Sequence, residues 1–274
     1  MNKNLVLQTA SNSAPEYNPG ITIKSTQEID AMRKAGRVVA KTIQLLKQLS
    51  RPGVTTKYLD QMAEKEILRL GGKPTFKGYR GFPGSICTSV GEEIVHGIPG
   101  SRILHGGELL KVDVGATVDG FIGDSAVTIG IGEVSDEARN LMDVTATALK
   151  MGILAARVGA RTGDIGAAIE EYVAPKGYGL VREYVGHGVG RFLHEEPAVP
   201  NYGPGGRGAK LVSGMAIAIE PMVNIGGWET RLLNDQWTVV TEDGSLSAHF
   251  EHTILISDEG PEILTSVNGG SVYG

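Results

Sequence analysis

The apolar positions of this chain change period along its length, and the changes mark out its elements. Ile29, Met32, Val39, Ile43 and Leu46 follow helical spacing behind Ser25 and Glu28, a pair with the residue types and separation of a capping box. They predict a helix opening at Ser25. A second helix is expected from about Thr56, through Leu59 and Met62, to a stop at Gly71-Gly72. Strand-like runs follow at Ser85 to Ser89, Leu109 to Val118 and Phe121 to Ile129. Helical spacing returns over about Ser135 to Val158 and Thr162 to Ala174. Further strands are expected near Leu180 to Val185, Met215 to Glu220, Trp237 to Thr241 and Leu246 to Ile256.

Two helices followed by strands thus occur twice, and some residues repeat with them. Arg51, Gly53, Thr56, Leu59 and Gly71 match Arg157, Gly159, Thr162, Ile165 and Gly177 at an offset of 106, a set small enough for chance to supply part of it. At an offset of 107, Gly107 and Asp113 match Gly214 and Glu220. The physical reading is a duplicated unit, about residues 25–130 and 135–256, inside one domain over 25–265. A pseudo-twofold axis would then make Asp113 and Glu220 facing partners. Residues 1–24 read as an amino-terminal extension, polar up to about Gly20, and residues 266–274 as a tail.

Composition narrows the function classes. Basic and acidic residues number 26 and 31 with no basic run, which argues against nucleic acid or an anionic membrane as the main partner. The single cysteine, Cys87, excludes an intramolecular disulfide and suits a reducing compartment. Leu5-Val6-Leu7 is too short for the core of a signal peptide, and no stretch reaches membrane-spanning length. A soluble, cytoplasmic protein is the expectation.

Candidate chemistry lies in four carboxylates and one histidine: Asp113, Asp124, His187, Glu220 and Glu251. If these meet in a partly buried pocket, their negative charges require cations, and two divalent metals would balance all four. Asp119-Gly120 is a strong two-residue turn signal, and a turn there pairs 115 with 124 and 113 with 126. Asp113 and Asp124 are then diagonal neighbours, roughly 7–8 Å apart at the backbone. A three-residue loop would instead put them on opposite faces, as incidental loop acids. His187 stands between Gly186 and Gly188, which allow close backbone approach, although a histidine in such a bend is often structural. Glu220 closes the run Met215 to Ile219, so burial is expected, and Pro221 stops the strand. In the last strand Ser247, His249, Glu251 and Thr253 share one face, with Phe250 and His252 on the other. His249 is expected farther along that strand, without a role. His194 precedes Glu195-Glu196, acids that prefer water and suggest a solvated loop. His105, beside two glycines, reads as a surface turn residue.

Several segments together resemble the type I methionine aminopeptidases of the M24 metallopeptidase family. They are Val95-His96-Gly97-Ile98-Pro99, Asp113 to Asp124, Gly186 to Gly190, His194-Glu195-Glu196-Pro197, Ile219 to Val223 and Glu251-His252-Thr253-Ile254. The likeness spans roughly residues 25–262, and only 25 residues separate His194 from Glu220, too few for the helical insert of type II enzymes. It implies the α+β pita-bread fold, two pseudo-symmetric halves around a mostly antiparallel sheet. It implies that Asp113, Asp124, His187, Glu220 and Glu251 hold two divalent ions (Co, Mn or Fe), with Asp124 and Glu251 bridging them. Glu220 would be general base, and His194 and His96 would bind the scissile peptide. Tyr79, Phe82, Cys87 and Trp237 would line a methionine pocket, with His96 at its edge. Phe76, Phe82 and Leu193 depart from the commoner bacterial pattern, which puts pocket size and preference in doubt.

The implied activity is removal of the initiator methionine from nascent chains with a small second residue. The partner would be that N-terminal methionine, met by a monomer in transient association with ribosomes. The nearest rival is a proline-directed peptidase of the same fold, disfavoured because only about 24 residues precede the first helix. A decayed binding module would not keep every ligand, and metal-free creatine-hydrolysing scaffolds would lack the acids.

Overall fold

The computed structural model describes residues 17–267 and 270–271. Most of the expected amino-terminal extension and the end of the tail lie outside the described residues. In chain order the first elements are β1 (Tyr17–Ile21), α1 (Thr26–Leu49), α2 (Thr56–Arg69), β2 (Lys73–Pro74), β3 (Cys87–Val90), β4 (Glu93–Val95), β5 (Leu109–Val118) and β6 (Phe121–Gly130). Then come α3 (Asp136–Ala155), α4 (Thr162–Val173), β7 (Gly179–Leu180), β8 (Gly186–Gly188), β9 (His194–Val199), β10 (Ala216–Ile219) and β11 (Met222–Asn224). The chain ends with β12 (Thr230–Leu232), β13 (Val239–Thr241), β14 (Ser247–His249), β15 (His252–Leu255), β16 (Glu262–Ile263) and β17 (Gly270–Ser271).

The α1 cap forms as its sequence requires. Glu28 N–H donates to the Ser25 hydroxyl, and Ser25 N–H donates back to the Glu28 carboxylate at 3.0 Å. Met32, Ala35, Val39, Ile43 and Leu46 then fall on the buried side. The helix crosses β6 where two glycines meet: a Cβ on Gly123 would lie 2.8 Å from the nitrogen of Gly36. That close approach sets the depth of β6, the strand carrying Asp124.

Two hydrophobic cores form, one under each helix pair. Leu46, Leu59, Ile67, Leu110, Val112 and Ile131 fill the space beneath α1 and α2. Leu141, Leu149, Ile165, Ile169, Ile217 and Ile254 fill that beneath α3 and α4. A third cluster at the seam includes Phe76, Phe82, Val189, Leu193 and Leu255. The largest sheet runs β1-β9-β8-β10-β15-β16-β17, and a smaller one runs β14-β11-β7.

Three sequence expectations change. The strand expected over Leu180 to Val185 is reduced to β7, and β8 follows at Gly186. The single strand expected over Leu246 to Ile256 divides into β14, paired with β11, and β15, paired with β10. The His194 segment is a strand, β9, and β1 lies parallel to it.

Candidate metal centre and substrate cavity

The divided strand creates the site. Ile219 pairs with His252 in one sheet and Met222 pairs with His249 in the other, so Glu220-Pro221 lies opposite Phe250-Glu251. Both chains switch sheets at the same level, and each contributes a glutamate at the switch. The first half meets them there through the β5–β6 hairpin. Its register is the one expected from Asp119-Gly120: Asp113 pairs with Ala126 and Gly115 with Asp124. Both turn residues have positive φ, 51° and 78°. Four hydrogen bonds join the halves beside the acids. Asp124 N–H donates to Thr253 Oγ1 at 3.0 Å, and that hydroxyl donates to the Asp124 carbonyl at 2.8 Å. Ser125 Oγ donates to the Glu251 carbonyl at 2.5 Å, and Glu251 N–H to that of Ala126 at 2.9 Å.

His187 arrives from β8. Its Nδ1–H donates to the Gly188 carbonyl at 2.9 Å, which leaves the Nε2 lone pair facing Glu220 Oε1 at 3.6 Å and Asp124 Oδ2 at 4.0 Å. The glycines around it are steric requirements, since a Cβ on Gly188 would lie 2.2 Å from the Glu196 carbonyl oxygen. Asp124, His187 and Glu251 each place a ligand atom within 4.8 Å of the others.

All eleven site residues expected from the sequence line one cavity of about 220 Å³. They are Tyr79, Phe82, Cys87, His96, Asp113, Asp124, His187, His194, Glu220, Trp237 and Glu251. Phe76 and Leu193 complete the wall, joined by Arg80, which no motif in the chain marks. Arg80 sits in a short turn with φ 47°, and its guanidinium lies 5.3 Å from the Tyr79 ring. Phe82 meets Trp237 edge-on at 5.0 Å, and His96 meets Tyr184 at 5.8 Å. His96 itself has φ 61°, a strained position for a side chain at a functional site.

Burial makes this an expensive place for bare charge. It pushes Asp113 up to about 7 and raises Asp124, Glu220 and Glu251 well above ordinary carboxyl values, with neighbouring acids adding to each of these three. Burial holds His187 and His96 near 4, and burial with the adjacent His187 and Arg80 charges holds His194 near 3. Burial and then the Asp113 charge raise the Cys87 thiol, so it stays protonated and serves as wall rather than nucleophile. Asp113 Oδ1 and Asp124 Oδ1 are buried without a hydrogen-bond partner. Unpaired oxygens, clustered acids and one correctly oriented imidazole fit a divalent metal centre.

Two histidines differ from their expected surroundings. The His194 loop is not solvated: Glu195 is 3% exposed and accepts from Thr22 Oγ1, Lys24 Nζ and the Arg191 and Phe192 N–H groups. His194 Nδ1 lies 2.7 Å from the Tyr79 hydroxyl, which gives Tyr79 a polar contact beyond wall packing. His249 is not remote from the site, because its Nε2 stands 3.9 Å from Glu220 Oε2. The period-two alternation had placed it on the Glu251 face. Its reach to Glu220 depended on the unforeseen sheet switch.

Comparison with known proteins agrees with this geometry. The chain belongs to metallopeptidase family M24, whose model matches residues 30–258. It is 52% identical to the methionine aminopeptidase of Clostridium acetobutylicum over 246 residues, covering 89% of this chain and 98% of that protein. Methionine aminopeptidase 1 of Bacillus subtilis is 51% identical, covering 90% of this chain and 100% of its own. The structure of the Thermotoga maritima methionine aminopeptidase superposes with a TM-score of 0.89 at 44% identity, over 90% of this chain and all of that one. The prolidase of Pyrococcus furiosus shares the fold, with a TM-score of 0.74 at 23% identity, but this chain covers only 65% of it. The fold is the α+β pita-bread fold, and the protein is a metal-dependent aminopeptidase.

Proposed function

We propose that the protein removes the N-terminal methionine from nascent polypeptides with a small second residue. The observation that carries this reading is an acid–imidazole cluster on the floor of a cavity walled by Phe76, Phe82, Cys87 and Trp237. That wall is apolar and aromatic, and it suits a thioether through sulfur–aromatic contacts worth on the order of 1 kcal/mol. Asp113, Asp124, His187, Glu220 and Glu251 would hold two divalent ions. Their oxygen-rich donor set suits Mn, Fe or Co. Bound there, the ions supply Lewis acidity that lowers the pKa of water towards neutrality.

The chain's own groups account for the proton traffic. Glu220 takes the proton of the attacking water as general base and delivers it to the leaving amine. With the Tyr79 hydroxyl donating to His194 Nδ1, 2.7 Å away, His194 Nε2 would carry the proton and donate to the developing oxyanion. His96, neutral near pH 7 and lining the same cavity, also donates to the scissile peptide. We further read residues 25–130 and 135–256 as a duplicated unit, flanked by an extension over 1–24 and a tail from 266. No described helix is long and apolar enough to cross a membrane. We assign the enzyme to the cytoplasm as a monomer meeting nascent chains near the ribosome.

The test compares release of free amino acid from Met-Ala-Ser and Ala-Pro-Ser peptides, with Mn or Co added and then chelated. Metal-dependent release of methionine alone is expected, and release from the proline peptide would move the protein to the proline-directed branch. Glu220→Gln should keep metal yet lose about 10²–10⁴-fold in turnover, the usual contribution of a general base. Normal turnover with metal bound would remove Glu220 from the mechanism.

A further inference from the structure

The Glu220 carboxylate lies between two imidazoles. Its Oε1 faces His187 Nε2 at 3.6 Å, and its Oε2 faces His249 Nε2 at 3.9 Å. His249 is 2% exposed, and its Nε2 is buried with no hydrogen-bond partner. Such an atom is costly inside a protein unless a bond forms in some state of the molecule. The ring cannot easily leave, because Thr128 clamps its backbone. His249 N–H donates to Thr128 Oγ1 at 2.9 Å, and that hydroxyl donates to the His249 carbonyl at 2.8 Å. Thr128 is on β6, four residues beyond Asp124, so the clamp spans the same seam as the acids.

We propose that His249 is a positioning residue for Glu220, donating from Nε2–H to Oε2 and thereby reserving Oε1 for the metal centre. The chemistry of the two groups requires this polarity. In its ionised, metal-ligating form the carboxylate only accepts, so the ring nitrogen opposed to it then carries the proton. At 3.9 Å the bond is unmade, and a side-chain adjustment of roughly 0.7–1 Å closes it. Without it, the carboxylate is free to rotate about its last torsion and present either oxygen. The inference rests on the reading of Glu220 as ligand and base, and it adds what fixes the orientation of that group.

The experiment compares His249→Leu and His249→Gln with the unaltered enzyme, measuring kcat and KM on Met-Ala-Ser, calorimetric affinity for Mn, and thermal stability. An outer partner of a metal ligand typically accounts for about 10- to 100-fold in affinity or activity. The leucine variant should therefore lose that much in kcat and bind Mn more weakly, with KM little changed. The glutamine variant, which restores a donor, should recover most of both. Should the leucine variant not fold, His249→Met fills the space without a donor and takes its place. Equal losses in the donor and donor-free variants, tracking stability alone, would reduce His249 to packing. Failure of the unaltered enzyme to release methionine would instead overturn the functional reading and leave the Mn affinities as the measure of His249.

Discussion

Of the four carboxyls in the cavity, Asp124 and Glu251 are buried and Asp113 and Glu220 partly so, and each binds protons more tightly than a free carboxyl. Burial pushes Asp113 up to about 7, and burial with neighbouring acids, Asp113 among them, raises Asp124, Glu220 and Glu251 well above ordinary carboxyl values. The metal-free protein therefore keeps part of this set protonated at pH 6, although free carboxyls would be ionised there. His187, held near 4, is already neutral and releases nothing. Metal binding at pH 6 should thus release protons, and affinity should fall as pH falls below 7. Calorimetry in two buffers of different ionisation enthalpy measures the number. Binding without proton release at pH 6 would mean that these carboxyls are ionised in the empty site.

At the scale of elements, the segment between β1 and α1 is joined to β9 by an ion pair withdrawn from water. Lys24 and Glu195 side chains are 4% and 1% exposed, with Nζ 3.1 Å from Oε2. Gly190 leaves room for the pair, since a Cβ there would meet the Glu195 carboxylate at 2.7 Å. Removing one partner of a buried pair costs about 3–5 kcal/mol, whereas replacing both by apolar groups is often neutral. Lys24→Ala should cost that much by chemical denaturation, and Lys24→Met with Glu195→Leu should recover most of it. A single-variant cost below about 1 kcal/mol would mean that water reaches the pair. This contact also shows where reading the sequence stopped. Local signals carried the α1 cap, and the Asp119-Gly120 turn carried the β5–β6 register, because each is determined within a few residues. The acids and the imidazole that meet in the cavity are legible because motifs mark them. Glu195 reads locally as a solvated acid because its cationic partner, Lys24, lies 171 residues away. The paired break at Glu220-Pro221 and Phe250-Glu251 was half visible: Pro221 announced one side, and nothing local announces the other.

For the molecule as a whole, the site is the joint between two separately packed halves. Asp113 and Asp124 belong to the hairpin over the α1–α2 core, and His187, Glu220 and Glu251 to strands over the α3–α4 core or adjoining it. Without metal, those of the carboxyls that ionise oppose each other across that seam, against the hydrogen bonds from Thr253, Ser125 and Glu251. A ligand that binds only the folded state at 100 times its Kd stabilises by about 2.7 kcal/mol. For a domain of this size that raises Tm by roughly 5 °C or more. Chelation should lower Tm by at least that amount, and amide exchange should quicken first in β6 and around Phe250-Glu251, where the halves touch. Exchange that quickened uniformly would point to global destabilisation. A Tm unchanged by chelation, with loss of metal verified, would show that the two cores and their seam hold the halves together on their own, and that the acids are tolerated in the folded protein by keeping their protons.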